Sequence, residues 1–217
     1  ASILKRIPVR FNYDDNYHNN SYTGIPIEGY THLIEKLLDH NSIQVQLNKK
    51  FIPSQNVSDY DHVFYTGPID AYFNYEFGRL GYRTVTFESS VHDGDYQGVT
   101  QMNYCDENIP YTRIAEHKHF TPWEQHEKTI IFKEFSKETG EDDIPYYPKR
   151  LKEDKNLLNQ YRQKAETLSH ISFLGRLATY RYMDMHHVIG EALEFSKSFT
   201  DALLSKEPIP VFPNSEN

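Results

Sequence analysis

The order of the hydrophobic patterns along the chain constrains its fold more than any other feature of the sequence. Four segments with strand patterns follow one another at meander spacing, and the turns between them contain Gly, Asp or Asn, which predicts one antiparallel sheet. The four segments span residues 83–87, 97–104, 111–115 and 129–135. Helical and strand patterns alternate both before and after this block. The sequence therefore predicts an α+β protein, in which an antiparallel-sheet domain interrupts the α/β pieces of another domain.

The segment before the predicted sheet carries one helical and two strand patterns. An apolar stripe from Leu33 to Leu38 predicts a helix that ends near His40. Residues 43–47 alternate strictly between apolar and polar side chains, which predicts a strand with one buried face. The apolar run at 60–66, stopped by Gly67-Pro68, predicts a buried strand. The loop after such a strand is where α/β sheets bind ligands.

The segment after the predicted sheet repeats this alternation. Apolar residues from Leu151 to Leu168 indicate an amphipathic helix, and residues 171–175 indicate a short buried strand. Asp184 has the side chain of an N-cap for the last helix, which Pro208 should stop.

Composition and charge limit the partners and the compartment. No apolar stretch approaches the length of a membrane span, so we expect no membrane partner. A net charge of -8 argues against a nucleic-acid partner, which needs a basic face. Cys105 is the only cysteine, which excludes a disulfide framework and fits a reducing cytoplasm, where we expect the protein to be located. The chain begins at Ala1 with neither an initiator Met nor an apolar leader, so we expect it to be part of a longer protein.

Two arginine segments are candidates for phosphate binding, because guanidinium groups match phosphate oxygens. Arg6 and Arg10 flank a proline, and they fit either a solvated edge strand or a phosphate contact. Asn103-Tyr104 and Tyr111-Thr112-Arg113 lie on opposite sides of a predicted hairpin turn at 106–110. A cross-strand pair of a tyrosine and an arginine there fits either ordinary sheet packing or a ligand contact.

Aromatic residues and histidines form two further groups. Tyr146 and Tyr147 stand between prolines in an extended segment, so their rings point in opposite directions, one packing and the other free for a ligand. His117 and His119, separated by one residue on a strand, would share a face, and His126 follows further along the chain. No third metal ligand stands at a convincing spacing from the first two, so we expect no metal site.

Residues 173–185 run from a strand through a glycine turn into the last helix. A helix N-terminus offers free N–H groups and the positive end of the helix dipole, so it can face a flavin or a phosphate. The same pattern is also typical of a strand–turn–helix unit without a ligand.

Nine motifs occur in one order across most of the chain. They are RIPVRFNYDDNY (6–17), GRLGYRT (78–84), GDYQG (94–98), MNYC (102–105), PYTRI (110–114), EHK (116–118), PWEQH (122–126), IPYYP (144–148) and GRLATYRYMDM (175–185). In this set and order, the chain resembles the flavin-dependent UDP-galactopyranose mutases.

The resemblance implies interconversion of UDP-galactopyranose and UDP-galactofuranose through a sugar adduct on N5 of reduced FAD. It assigns Arg6 and Arg113 to neutralisation of the substrate diphosphate, as catalytic and substrate-binding residues. The implied phenol donors to the substrate are Tyr17, Tyr147 and Tyr182. The implied FAD contacts are Arg176, Asp184 and Met185.

The family pattern begins with a Gly-x-Gly-x-x-Gly turn that holds the FAD pyrophosphate, and this sequence has no such turn. The chain therefore resembles the C-terminal portion of a mutase. We expect that this portion alone is inactive, holds FAD weakly and self-associates through its exposed core. The alternative is a stand-alone module that binds nucleotide sugars or glycans without catalysis.

The resemblance also implies an alternation between two domains. The substrate-binding sheet would begin in residues 1–24 and continue in residues 71–150. Residues 25–70 and 151–217 would belong to the FAD-binding domain.

Overall fold

The computed structural model describes residues 11, 13, 21–53 and 57–213. The helices are α1 (Gly29–Leu38), α2 (Ile69–Tyr72), α3 (Lys152–Ala165), α4 (Gly175–Ala178) and α5 (Met185–Ser205). The strands are β1 (Val63–Tyr65), β2 (Tyr82–Asp93), β3 (Gln101–Asn103), β4 (Arg113–Glu116), β5 (Lys128–Glu138), β6 (Tyr147–Pro148) and β7 (Ile171–Phe173). Short 3₁₀ helices span Val57–Asp59 and His117–Phe120. The protein is thus a mixed α+β structure, as the sequence predicts.

A five-stranded antiparallel sheet with the order β3-β4-β5-β2-β6 forms the middle of the chain. Its longest ladder joins β2 to β5 in continuous register, from Arg83 opposite Glu138 to Asp93 opposite Lys128. Val85 and Ile131 are buried on this ladder. The four predicted segments thus form one antiparallel sheet, as expected, but not in meander order, because β2 pairs with β5 and not with β3.

A parallel pair of strands, β1 and β7, joins the two flanking segments of the chain. Ile171 and Phe173 of β7 are almost completely buried, and α3 supplies Tyr161 and Ala165 to the same core. Rings dominate this core: Phe173 stacks on Phe212 with centroids 5.5 Å apart. All three residues of β7 are buried, and the hydroxyl of Ser172, between the two apolar residues, donates to the Pro210 carbonyl at 2.6 Å.

Three predicted strands differ from the structure. The buried strand predicted at 60–66 is confined to Val63–Tyr65, and none of its residues is fully buried. The strand predicted at 43–47 is wrong, because these residues are exposed and irregular. A strand needs a hydrogen-bonding partner, and none of the described strands pairs with this segment. The strand predicted at 97–104 is shortened to 101–103. The backbone N–H groups of Gln97 and Gly98 donate to the carboxylate of Glu116 instead of to a neighbouring strand.

Apolar side chains remain exposed on two helices. All residues of α1 lie outside the core, including Ile34 and Leu37. On α5, Phe195 packs under Phe64 of β1, while Leu193 on another face is 62% exposed. Self-association through these faces stays a prediction, and sedimentation velocity at several protein concentrations is its measurement. In the described part of the chain, no helix is long and apolar enough to cross a membrane.

Candidate functional site

A row of three polar side chains crosses the antiparallel sheet. Arg113 on β4 lies in register with Asn103 on β3 and with Glu134 on β5. Its Nε donates to Oδ1 of Asn103 at 3.0 Å, and its Nη1 lies 3.7 Å from a carboxylate oxygen of Glu134. The Arg113 side chain is still 36% exposed. Its guanidinium is therefore held in a fixed direction and remains accessible to an anionic ligand.

Arg176 lies against two tyrosine rings. Its guanidinium carbon is 4.8 Å from the centroid of the Tyr147 ring and 4.7 Å from that of Tyr182. The two rings are nearly parallel, with centroids 5.9 Å apart. A cation over aromatic faces is stabilised by the ring quadrupoles, and planar guanidinium suits this contact better than ammonium.

The donors of Arg176 are only partly satisfied. Nη1 donates to the backbone carbonyl of Met183 at 3.1 Å. Nε and Nη2 are buried and have no hydrogen-bond partner among the described residues. Buried donors of a charged group are costly without an acceptor, so these two atoms point to a ligand that presents oxygens.

The turn that positions Arg176 follows directly from the local sequence. Gly175 adopts a φ of +77°, which L side chains rarely adopt, between the end of β7 and the start of α4. The hydroxyl of Thr179 donates to the Gly175 carbonyl at 2.6 Å, and the Arg181 N–H donates to the Arg176 carbonyl at 3.0 Å. These bonds close a compact turn, which returns the chain so that Met183 can accept from Arg176.

The charges of both arginines, Arg113 and Arg176, act on the phenol of Tyr147. Burial raises the pKa of its phenol, and the Glu134 carboxylate and the Tyr182 phenol raise it further, while Arg113 and Arg176 lower it. The net direction is upward, so the phenol is protonated at neutral pH and can donate a hydrogen bond. Arg113 and Arg176 are therefore both close enough to Tyr147 to influence its protonation.

Asp184 and Met185 stand at the start of α5. Asp184 is the N-cap residue, but its side chain makes no capping hydrogen bond, and both residues are exposed. The first N–H groups of a 21-residue helix are therefore available at this end. The FAD implied by the resemblance fits here, since these N–H groups and the two buried Arg176 donors suit a group with carbonyl and phosphate oxygens.

The structure brings together four of the residues that the resemblance assigns: Arg113, Tyr147, Arg176 and Tyr182. Arg6 and Tyr17 lie outside the described residues, as does Arg10. Sequence reasoning missed Glu134, which orients Arg113 and faces Tyr147. The signal that could have found it is register, because a correct β4–β5 alignment places Glu134 directly opposite Arg113.

A separate buried carboxylate secures the loop that precedes β3. Glu116, at the end of β4, is 0% exposed. It accepts backbone N–H bonds from Tyr96, Gln97 and Gly98 at 2.9, 2.8 and 3.0 Å. Burial alone would raise the pKa of Glu116, but these donors outweigh it and lower the pKa to about 2.

His119 lies beside the same carboxylate, with its Nε2 3.6 Å from Glu116 and 3.6 Å from Asp95. Of the three histidines considered from the sequence, His119 is the one beside this loop anchor, whereas His117 packs on Phe132, and His126 pairs with Glu124. Asp95 is also paired with Lys118 at 2.6 Å.

Comparison with known proteins identifies the family. The family model described as UDP-galactopyranose mutase matches residues 1–182. A probable UDP-galactopyranose mutase of Klebsiella pneumoniae is 52% identical, over 98% of this chain and 55% of its own length. A dTDP-fucopyranose mutase of Escherichia coli is 50% identical, over 92% of this chain and 54% of its own length. A UDP-galactopyranose mutase of Mycoplasma pneumoniae is 30% identical, over 88% and 52% of the two lengths.

The chain spans about half the length of the curated relatives that it matches. On this evidence, the chain belongs to the UDP-galactopyranose mutase family.

Proposed function

We propose that the chain forms part of a flavin-dependent mutase that interconverts the pyranose and furanose forms of a nucleoside-diphosphate sugar, with UDP-galactose as its substrate. The observation that carries this proposal is Arg176, whose guanidinium contacts Tyr147 and Tyr182 while two of its buried donors lack partners. Such a group suits the boundary between a cofactor and a phosphorylated substrate.

The residues of this chain would act mainly through charge and position. Arg113 would bind the diphosphate and stabilise the negative charge that grows on it as the sugar–phosphate bond breaks. Tyr147 and Tyr182 would donate phenol hydrogen bonds to the same oxygens. Arg6 and Tyr17, outside the described residues, would complete this set.

The cofactor side of the site would consist of Arg176 and the start of α5. Asp184 and Met185 would contact FAD there, and the free N–H groups of the helix would face its oxygens. Reduced FAD, when bound, supplies the nucleophile for the anomeric carbon. Because no glycine-rich pyrophosphate turn is present in this sequence, we expect this chain alone to hold FAD weakly and to be inactive.

A second candidate substrate is dTDP-fucopyranose, because a relative that is 50% identical carries the name dTDP-fucopyranose mutase. Both substrates contain a nucleoside diphosphate, and the arginine–tyrosine cluster would contact that shared part. Assay of the full-length protein with each sugar nucleotide separates the two. Binding of either nucleotide without any turnover would instead favour the alternative of a binding module.

Replacement of Arg113 by alanine tests the diphosphate contact. In the full-length protein, we expect Arg113→Ala to lower kcat/KM by about a hundredfold, because a charge-assisted hydrogen bond contributes roughly 1.5–3 kcal/mol. The control is Arg79→Ala, which removes an arginine that pairs with exposed Glu141 at 3.6 Å. Equal losses in the two variants would contradict the role of Arg113, as would unchanged UDP affinity in Arg113→Ala.

A further inference from the structure

A second group of cations lines a cavity behind the turn that carries Arg176. The cavity lies between α3 and residues 179–183 and has a volume of about 400 Å³. Its cationic lining residues are Arg150, Lys155, Arg162 and Arg181, and His187 adds an imidazole. Cavities of this size hold small-molecule ligands.

The charge of this cavity is opposite to that of the chain. The chain has a net charge of -8, yet none of the described residues that line the cavity is a carboxylate. Arg181 is bound by the Glu191 carboxylate. For Arg150, Lys155 and Arg162, no carboxylate in the described ranges lies within ion-pair distance. Three cations that line one cavity without counter-charges repel one another, and a bound anion would reduce this repulsion.

Contacts fix the guanidinium of one of these residues and the backbone of another. The guanidinium of Arg162 lies 4.4 Å from the centroid of the Phe212 ring. Arg150 has a left-handed backbone with a φ of +58°, and its N–H donates to the Tyr180 hydroxyl at 3.3 Å. A non-glycine residue in this conformation is strained, and such strain is frequent at ligand sites.

The cavity is separate from the proposed diphosphate site but shares one wall with it. Arg113, Tyr147 and Arg176 do not line the cavity. Tyr182 lines the cavity and also stacks on Tyr147. A ligand in the cavity would therefore contact the same ring that borders the proposed active site.

We propose that this cavity binds a small phosphorylated molecule through a phosphate or diphosphate group, at a site distinct from that of the sugar nucleotide. Guanidinium forks match phosphate oxygens, and several cations that line one cavity suit a polyvalent anion better than a single carboxylate. Leu158 and Met183 would contact the uncharged part of the ligand.

The test measures binding of inorganic pyrophosphate to the flavin-loaded full-length protein by calorimetry at low salt. Saturating UDP is present, so that the proposed diphosphate site is filled. We expect pyrophosphate to bind under these conditions. In Arg150→Gln/Lys155→Gln, the affinity should fall by about ten- to a hundredfold, because each contact between a cation and phosphate contributes a charge-assisted hydrogen bond.

Lys152→Gln is the matched control, since Lys152 is the first residue of the same helix and does not line the cavity. Lys155→Gln alone keeps the test valid if the double variant fails to fold, because Lys155 is exposed. The proposal is overturned by absence of pyrophosphate binding, by its loss when UDP is added, or by equal weakening in Lys152→Gln. Unchanged affinity in Lys155→Gln and in the folded double variant overturns it as well. None of these outcomes depends on whether the mutase reaction occurs.

Discussion

In the full-length protein, Arg176→Lys is expected to reduce kcat/KM by about a hundredfold or more, although the positive charge is kept. Lysine lacks the planar fork, so it cannot donate to Met183 and simultaneously present Nε and Nη2 while lying over both tyrosine rings. Loss of two charge-assisted hydrogen bonds corresponds to roughly 3 kcal/mol or more, which is a factor of about a hundred in rate.

Steady-state kinetics and UDP affinity of Arg176→Lys provide the measurement, with Arg79→Lys as the matched substitution outside the cluster. We expect Arg79→Lys to remain within about threefold of the wild type, because exposed ion pairs contribute little. If Arg176→Lys retains wild-type kcat/KM, the proposed role of the Arg176 Nε and Nη2 donors in ligand binding is wrong. A normal thermal midpoint in both variants would separate loss of function from loss of folding.

The second large effect concerns stability. Glu116→Gln is expected to lower the free energy of unfolding by about 3 kcal/mol at neutral pH, since the folded protein depresses the pKa of this carboxyl from 4.5 to about 2. In the variant, the three backbone N–H donors of the loop lose a charged acceptor. The amide N–H₂ group of glutamine would also face some of these N–H groups, and two donors cannot form a hydrogen bond with each other. Urea unfolding at pH 7 measures the change, with exposed Glu107→Gln as the control.

The sign of the pH dependence follows from the direction of this shift. A carboxyl with a lowered pKa in the folded state contributes stability above its unfolded pKa of 4.5, and that stability is lost as the pH falls toward about 2. The difference between the wild type and Glu116→Gln should therefore be constant above about pH 5 and shrink between pH 4.5 and about pH 2. A difference that stays constant down to pH 3 would show that the charge of Glu116 is not its source.

Sequence patterns located most elements where side-chain periodicity reports burial directly. The stripe of α3 and the strand β7 were predicted because their apolar residues recur at the period of the element, as Ile171 and Phe173 do on either side of Ser172. The predicted ends of the elements were less accurate. Pro208 was expected to stop α5, whereas the helix ends at Ser205, and Lys206, with a φ of +57°, is its C-cap. The pattern at 43–47 predicted a strand wrongly, because alternation shows which face could be buried but does not provide a partner strand.

The candidate site required tertiary structure, because its members come from separate parts of the chain. Resemblance selected Arg113, Tyr147, Arg176 and Tyr182, but their mutual contacts depend on how β4, β6 and the turn after β7 meet. Glu134 had no distinctive neighbours in sequence, and only the register of β5 against β4 placed it beside Arg113. Likewise, the sequence shows Glu116 only as one charged residue beside His117 and Lys118. Its role as the acceptor of three loop N–H groups appears only in the tertiary structure.

By itself, the sequence determined the α+β class, the presence of an antiparallel sheet and the family, since periodicity and ordered motifs are local properties of the chain. The order of the strands, with β2 beside β5, came only from the tertiary structure. Only the tertiary structure decided which charges are paired and which are left with unused donors. Arg181 and Arg176 stand five residues apart, yet Glu191 binds the first, while the second keeps two buried N–H donors beside a pair of rings. That distinction depends on contacts and burial between distant segments, which local residue patterns do not contain.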